Sequence, residues 1–487
     1  MTNARPAGCG WRGVAVLLAA AAAIPGCHGD LPTSDSIHTV SLLLDTARGD
    51  ARRARLIDTL PLQPADDPNV QAYRVALSFF AGSDRQPTAL RLRAVERLAA
   101  EAPDALRVGV GTRVVRIDEP AVLARLGRLA AERGWHEWVG PLLARYARPM
   151  PGVAEADRPE AGPLVRLVAA TDAAPPPPLG FDHPVDRTLL QFLARRGPAH
   201  EADARRAWVV LARRHPPADL HARLAAAPDL GAATPLARLG DATRWLDRLP
   251  ATAAGWDRLR TWADDPDRRD AAVAATAGAR RWAGATGPGV ELRHLPVLTR
   301  TDGDRLPPPD RLRGEVNRRL AGRRFVPRFD RPRVDPRRVA ATLGPADLRL
   351  LDAVLDAMDD PAVTAAWFTQ ADADHAEPTT EYGGVLTWNA AGRFVAAAFP
   401  TEFRAGDHKY VTPRELVTAT HTGLAHYHFH AQQHDHADYA GPGRGDLDFT
   451  DALDAATLTL TFLDRDTLNV DLALPGRVVL DLGTVTR

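Results

Sequence analysis

The residues with the clearest chemical potential lie in Gly423-Leu-Ala-His-Tyr-His-Phe-His430 and in Gly441-Pro-Gly-Arg-Gly-Asp446. His428 and His430 are two apart in a run that reads as a β-strand, where residues i and i+2 share a face. Both imidazoles can therefore turn toward one ion, and Asp446 adds a carboxylate just beyond a Gly/Pro loop. Two neutral imidazoles and one carboxylate are the donor set of an open catalytic zinc site, which keeps its fourth position for water. For this histidine pair a metal role outweighs a structural one. Asp446 has a second reading, as the N-cap of a helix beginning Leu447-Asp-Phe-Thr. It serves both purposes only if its oxygens are divided between ion and backbone.

The histidines around this pair are dense: His421, His426, His428, His430, His434 and His436 crowd sixteen residues. His426 shares the strand face of the pair. It is open to two readings, a fourth ligand that closes the site into a structural one or a supporting group behind the ligands. His434 and His436, with Asp435 or Asp438, are alternative or additional ligands, weighed against a stronger reading as solvated loop residues. His421 and His408 read as ordinary polar residues. Elsewhere the sequence carries no convincing phosphate loop, nucleophile elbow or paired-cysteine zinc site.

The elements that must position these groups occupy about 340–487. Ala346 to Met358 reads as an amphipathic helix. Gly384-Val-Leu-Thr-Trp388 and Arg393-Phe-Val-Ala-Ala-Ala-Phe399, joined by a turn at Asn389 to Gly392, read as a β-hairpin. Thr412-Pro-Arg-Glu415 reads as a capping box with Pro at the first helical position, which predicts a helix over about 413–420. The histidine strand follows. Thr457-Leu-Thr-Leu-Thr-Phe462 alternates, with Leu458, Leu460 and Phe462 on one face. Leu468 to Leu474 and Val478 to Leu482 flank a Pro475-Gly476 turn as a last hairpin. Such an order is that of an α+β domain.

This segment resembles the JAB/MPN metallopeptidase family, which bears the JAMM motif. The motif is a Glu on an early strand, then H-x-H, a spacer, and S-x-x-D. Thr380-Glu-Tyr-Gly-Gly-Val-Leu386 resembles the family's Glu before a Gly and an apolar strand. His428-Phe-His430 matches H-x-H, and Pro442-Gly-Arg-Gly-Asp446 matches the Pro-Ser-x-x-Asp end. The resemblance implies that His428, His430 and Asp446 hold zinc. It implies that Glu381 is general base and then acid, taking a proton from water and passing it to the leaving amine. Hydrolysis of an amide or isopeptide bond would result. Two departures stand out. Gly443 occupies the position of the family Ser, whose hydroxyl helps to stabilise the oxyanion; losing one such donor costs about 10²–10³ in rate. The spacer before it is longer, because of the polar insert Ala431-Gln-Gln-His-Asp-His-Ala-Asp-Tyr439.

Upstream, residues about 36–284 read as helical. Asp118 can cap, Glu119 and Pro120 suit a first turn, Val122, Leu123, Leu126 and Leu129 follow in helical register, and Gly134 ends the run. Similar patterns recur near 42–60, 89–101, 187–196, 202–214 and 257–283. The string Arg-Leu-Ala-Ala at Arg97, Arg128 and Arg223 is compatible with stacked helix pairs of the HEAT or TPR sort, no more so than with an irregular helical domain. Pro175 to Pro178 read as a stiff linker or long loop. From 286 to 339 Arg, Pro and Asp dominate, and the segment reads as a connector. The expected architecture is multidomain: a mostly α domain over 27–285, then the connector, then the α+β JAB/MPN-like domain over 340–487.

The N-terminus reads as an export signal over 1–26: Arg5 and Arg12, then an apolar run from Gly13 to Ile24 that is too short to span a bilayer. Its end, Ile24-Pro-Gly-Cys27, resembles the bacterial lipobox, which implies lipidation of Cys27. The only other cysteine is Cys9, inside the signal, so the mature body would hold no thiol and no disulfide. The 487 residues carry a formal net charge of zero, which argues against bulk binding to nucleic acid. The basic residues are almost all Arg, with Lys409 the one lysine. These features predict an exported lipoprotein, anchored to the membrane through lipid and facing the periplasm or cell exterior. It would act on a peptide or protein substrate, and protein partners would suit the helical half. Two rivals stand beside zinc-dependent amide or peptide hydrolysis. One is a non-catalytic metal-binding or interaction lipoprotein that keeps the fold. The other is a His-rich metal-storage lipoprotein that binds more than one ion.

Overall fold

The computed structural model describes residues 33–170, 179–227, 230, 233–284, 287, 289–301, 306–325, 336–406 and 409–487. Cys9, Cys27 and the rest of the export-signal segment, the Pro175 to Pro178 run and His408 lie outside them. No helix among the described residues is long and apolar enough to cross a membrane. The chain forms two compact units that divide between Arg214 and His215.

In the first unit all described regular structure is helical. The helix Pro120–Glu132 shows why: Val122, Leu123, Leu126 and Leu129 form one buried stripe. Its cap is one residue later than the sequence suggests. Glu119 is the N-cap and accepts the Ala121 N–H at 3.4 Å, whereas Asp118 instead lies 3.0 Å from the buried guanidinium of Arg145. The first two Arg-Leu-Ala-Ala strings fall in the helices Thr88–Glu101 and Pro120–Glu132, with Leu98 and Leu129 both buried. The third falls in Pro217–Ala226, in the second unit.

The second unit combines helices with the sheet. The helices from Pro217 onward group with the strands in this unit. Trp256, Leu259 and Trp262 of the helix Ala253–Ala263 are buried, and Trp262 Nε1 donates to His421 O at 2.9 Å. Uniform Ala/Arg/Leu composition gives no sign of which core such a helix faces. The expected connector also carries structure. Leu295–Leu298 is a short buried helix, and Pro309–Ala321 buries Leu312, Val316 and Leu320 at four-residue steps. Its arginines belong to the polar side of that helix: Arg319 reaches Asp352 at 2.8 Å, Asp356 at 2.8 Å and Asp359 at 2.7 Å.

Near this helix a buried polar cluster ties 291–294 to the helix Pro345–Met358. His294 Nδ1 accepts the Glu291 N–H at 2.9 Å, so its Nε2–H donates to Asp347 Oδ1 at 2.7 Å; Arg293 adds a bond at 3.1 Å. Burial pushes the Asp347 carboxyl up, but His294 and Arg293 outweigh it and hold it well below the usual carboxylate range. A depressed folded value means that the stabilisation is complete above the unfolded pKa of about 3.9 and is lost as pH falls toward the folded one. Asp347→Asn is expected to cost about 2 kcal/mol at pH 7. It should also flatten the acid limb of stability below about pH 4, as read by urea unfolding across pH.

The sheet has six strands in the order β2-β1-β3-β4-β5-β6. They are β1 Gly383–Trp388, β2 Phe394–Phe399, β3 Ala425–His430, β4 Thr457–Asp464, β5 Thr467–Leu474 and β6 Val478–Thr486. All neighbouring pairs are antiparallel except β3 and β4, which are parallel. One face packs on the helix Pro361–Ala376: Trp367 meets Tyr427 edge-on with ring centroids 6.2 Å apart, and Phe368 meets Phe462 at 6.4 Å. The opposite face of β3 is left for the histidines. A short helix, Arg414–Ala419, leads into β3. Its N-cap is Pro413 with no side-chain cap bond, so the expected capping box does not form.

Candidate metal centre

Strand register brings the candidate residues together. In the antiparallel β1–β3 pair Gly383 lies opposite His428 and Val385 opposite His426. Opposed residues share a face, so the histidine side of β3 continues across Gly383. The pairing runs past the start of β1, since Phe429 N–H donates to Tyr382 O at 3.1 Å. Glu381 is therefore opposite His430, on the same face, and only 8 % exposed. Asp374, from the helix behind the sheet, fixes the adjoining backbone by accepting the Tyr382 N–H at 2.6 Å. Gly383 is required here by space. A Cβ would meet Tyr427 O at 2.8 Å and the Tyr410 ring at 2.9 Å.

Asp446 arrives from the helix Arg444–Leu453, whose N-cap is Gly443. This helix begins three residues earlier than the alternative reading of Asp446 as its cap requires. Asp446 is in the first turn and reaches back, Oδ2 accepting the Gly443 N–H at 2.7 Å. The other oxygen, Oδ1, lies 3.4 Å from His428 Nε2, and Oδ2 lies 3.6 Å from His430 Nε2. The carboxylate thus divides between backbone and histidines. Ligand atoms of His428, His430 and Asp446 all fall within 4.8 Å of one another, and these three residues form a group that could hold a metal ion. The donor set fits a cation. His428 Nε2 is buried without a hydrogen-bond partner, and His430 Nδ1 donates to Tyr439 O at 3.2 Å, which leaves its Nε2 lone pair for a ligand role.

Electrostatics follow from this packing. Burial alone would lower His428, but the Asp446 carboxylate outweighs it and holds the imidazole above its ordinary value. Asp446 is buried too, yet His428 and His430 keep it well below the usual carboxylate range. Burial pushes Glu381 up, against the pull of the same two imidazoles. Its carboxylate also accepts from the Tyr410 backbone N–H, and Gln432 Nε2 donates to its Oε1 at 3.3 Å.

The remaining histidines stay outside the three-residue group. His426 shares the face but donates from Nδ1 to Gly384 O at 3.0 Å and stacks between Tyr410 and His428, with centroids 6.0 and 5.7 Å away. Burial and the neighbouring His428 push it down to about 3, so it is neutral. It forms a wall behind the candidate ligands. His434 pairs with His375 at 3.9 Å, and His436 stacks on Tyr439 at 4.6 Å. His421 bonds Thr261 Oγ1 through Nδ1 at 2.8 Å. Tyr410, Asp374 and Gln432 are the residues around Glu381 that sequence reasoning missed. Only Gln432 carried a signal, because alternation places residue 432 on the face of 428 and 430. Comparison with protein-family models, with curated proteins and with solved structures finds no match for this chain.

Proposed function

We propose that the protein is a zinc-dependent amide or peptide hydrolase of the JAMM type, anchored at the bacterial cell envelope through Cys27. One observation carries this reading: Glu381, His428 and His430 share one face across β1 and β3, and Asp446 comes to the same point from the Arg444–Leu453 helix. His428, His430 and Asp446 would hold the ion. Zinc at such a site supplies Lewis acidity and a water that ionises near neutral pH. Glu381 would serve this chemistry as general base and then general acid, holding the transferred proton on its carboxylate until the leaving amine takes it. Its burial suits the task, because it holds the carboxyl above its ordinary value and so favours the proton-carrying form. Tyr410 and Gln432 orient it.

A second reading has its own support. Gly443 has no hydroxyl, and its N–H is already engaged by Asp446 Oδ2. The residue at the family Ser position therefore offers no donor to an oxyanion, which favours a metal-binding or interaction module that keeps the JAB/MPN fold without turnover. Zinc analysis addresses the metal reading that both share. The purified full chain is expected to carry one zinc ion, and His428→Ala to lose it; zinc-free wild-type protein, or equal zinc in the variant, defeats both. Screening the zinc-loaded chain against peptide libraries then separates them, with cleavage supporting the hydrolase and its absence supporting the module.

A further inference from the structure

At the far end of β1 from Glu381 lies a cavity of about 390 Å³, within the size range of small-ligand pockets. At about 3.3 Å per residue along the strand, it is roughly 20 Å from the candidate metal centre. Its walls include Arg300, Arg349, Thr301, Trp388 and Phe394, and none of its lining residues among the described ones is a carboxylate.

Both guanidiniums are held in place. Arg300 lies over the Trp388 ring, 5.0 Å from its centroid, and Trp388 in turn packs on Phe394 at 5.5 Å. Arg349 Nη1 is tied to Asp352 Oδ2 at 2.8 Å, and its Nε donates to Thr301 Oγ1 at 3.4 Å. Arg300 makes no ion pair among the described residues, whereas Arg349 shares its charge with Asp352. A guanidinium on an aromatic face is positioned without losing its edge donors, and that edge matches the paired oxygens of a carboxylate or phosphate. The aromatic hairpin end offers apolar contact beside this charge.

We propose that this cavity binds a small anion, a carboxylate or phosphate attached to a planar or apolar body of about amino-acid size. Arg300 is its principal contact, and Arg349 is the second cation. The site is independent of the metal centre and of whether that centre turns over.

Phenylphosphate, benzoate and neutral benzamide are suitable probes, added to the intact chain and followed by ligand-observed NMR and calorimetry. At least one of the two anions is expected to bind at least tenfold tighter than benzamide, roughly the value of one charge-assisted pair. Preference between phosphate and carboxylate identifies the head group. Arg300→Ala should weaken binding by about tenfold or more, and Arg300→Lys should give an intermediate loss, because the charge remains while the fork is gone. Arg300 is exposed, so these variants should keep the wild-type unfolding profile and metal content. Anions that bind no better than benzamide, or anion binding unchanged in Arg300→Ala, would overturn the proposal.

Discussion

Glu381→Gln is expected to abolish turnover while the protein keeps its full metal content, a fall in kcat of about 10²–10⁴-fold for loss of a positioned acid–base group. The amide has the shape of the carboxylate and can still accept from the Tyr410 N–H, so packing is preserved. It cannot carry the proton. The pH profile gives an independent readout. In the wild type the rate should fall as pH drops through the Glu381 pKa, which burial sets above the ordinary value of about 4.3. The residual rate of the variant should lack that acid limb. Unchanged kcat in metal-loaded Glu381→Gln would remove this residue from the mechanism.

The largest stability effect is expected at Arg258, about three to five kcal/mol for Arg258→Met, through loss of two buried hydrogen bonds from a charged donor. Its side chain is fully buried in the helix Ala253–Ala263, where burial draws the guanidinium down to about 10. Nη1 donates to Asp454 O at 2.6 Å and Nη2 to Thr420 O at 3.1 Å. Thr420 closes the short helix before β3, and Asp454 is the left-handed C-cap of the helix that carries Asp446, with φ 53°. One arginine therefore joins the lead into the histidine strand to the end of the Asp446 helix. Met fills the volume but leaves two carbonyls without a donor, and it removes one of the three arginines whose charge acts on the Asp454 carboxyl. Affinity for the proposed zinc ion should fall with stability, since both elements that carry the candidate ligands lose a common tie. Urea unfolding and zinc titration measure the two effects. A variant within about 1 kcal/mol of wild type with unchanged zinc affinity would show that Arg258 is dispensable.

Local pattern carried much of the second unit. The β1–β2 hairpin, β3, and the cores of β4, β5 and β6 are where alternation and turn residues put them, because period two and a Pro-Gly turn are short-range signals. Alternation also put His428 and His430 on one face. Glu381 needed more than pattern, since only the β1–β3 register makes it face His430. Long-range placement was not legible. Leu312, Val316 and Leu320 were hidden in an Arg- and Pro-rich run, and the 257–283 pattern resolved into two helices, Ala253–Ala263 and Pro266–Ala283. Asp118 and Thr412 were reasonable caps by residue type, yet a cap depends on where the preceding chain enters, which tertiary packing decides. The functions of Tyr410 and Asp374 come from opposite sides of β1, a relation that no local window contains.

Lys409, the chain's one lysine, is exposed and directly precedes Tyr410, whose N–H and ring lie against Glu381 and Gly383. Among the side chains, an amine-reactive dye thus has a single address, at the rim of the candidate metal centre. With the α-amine blocked, the wild-type sequence provides a site-specific reporter there, needing no engineered cysteine, and metal loading can be followed by the emission of one fluorophore.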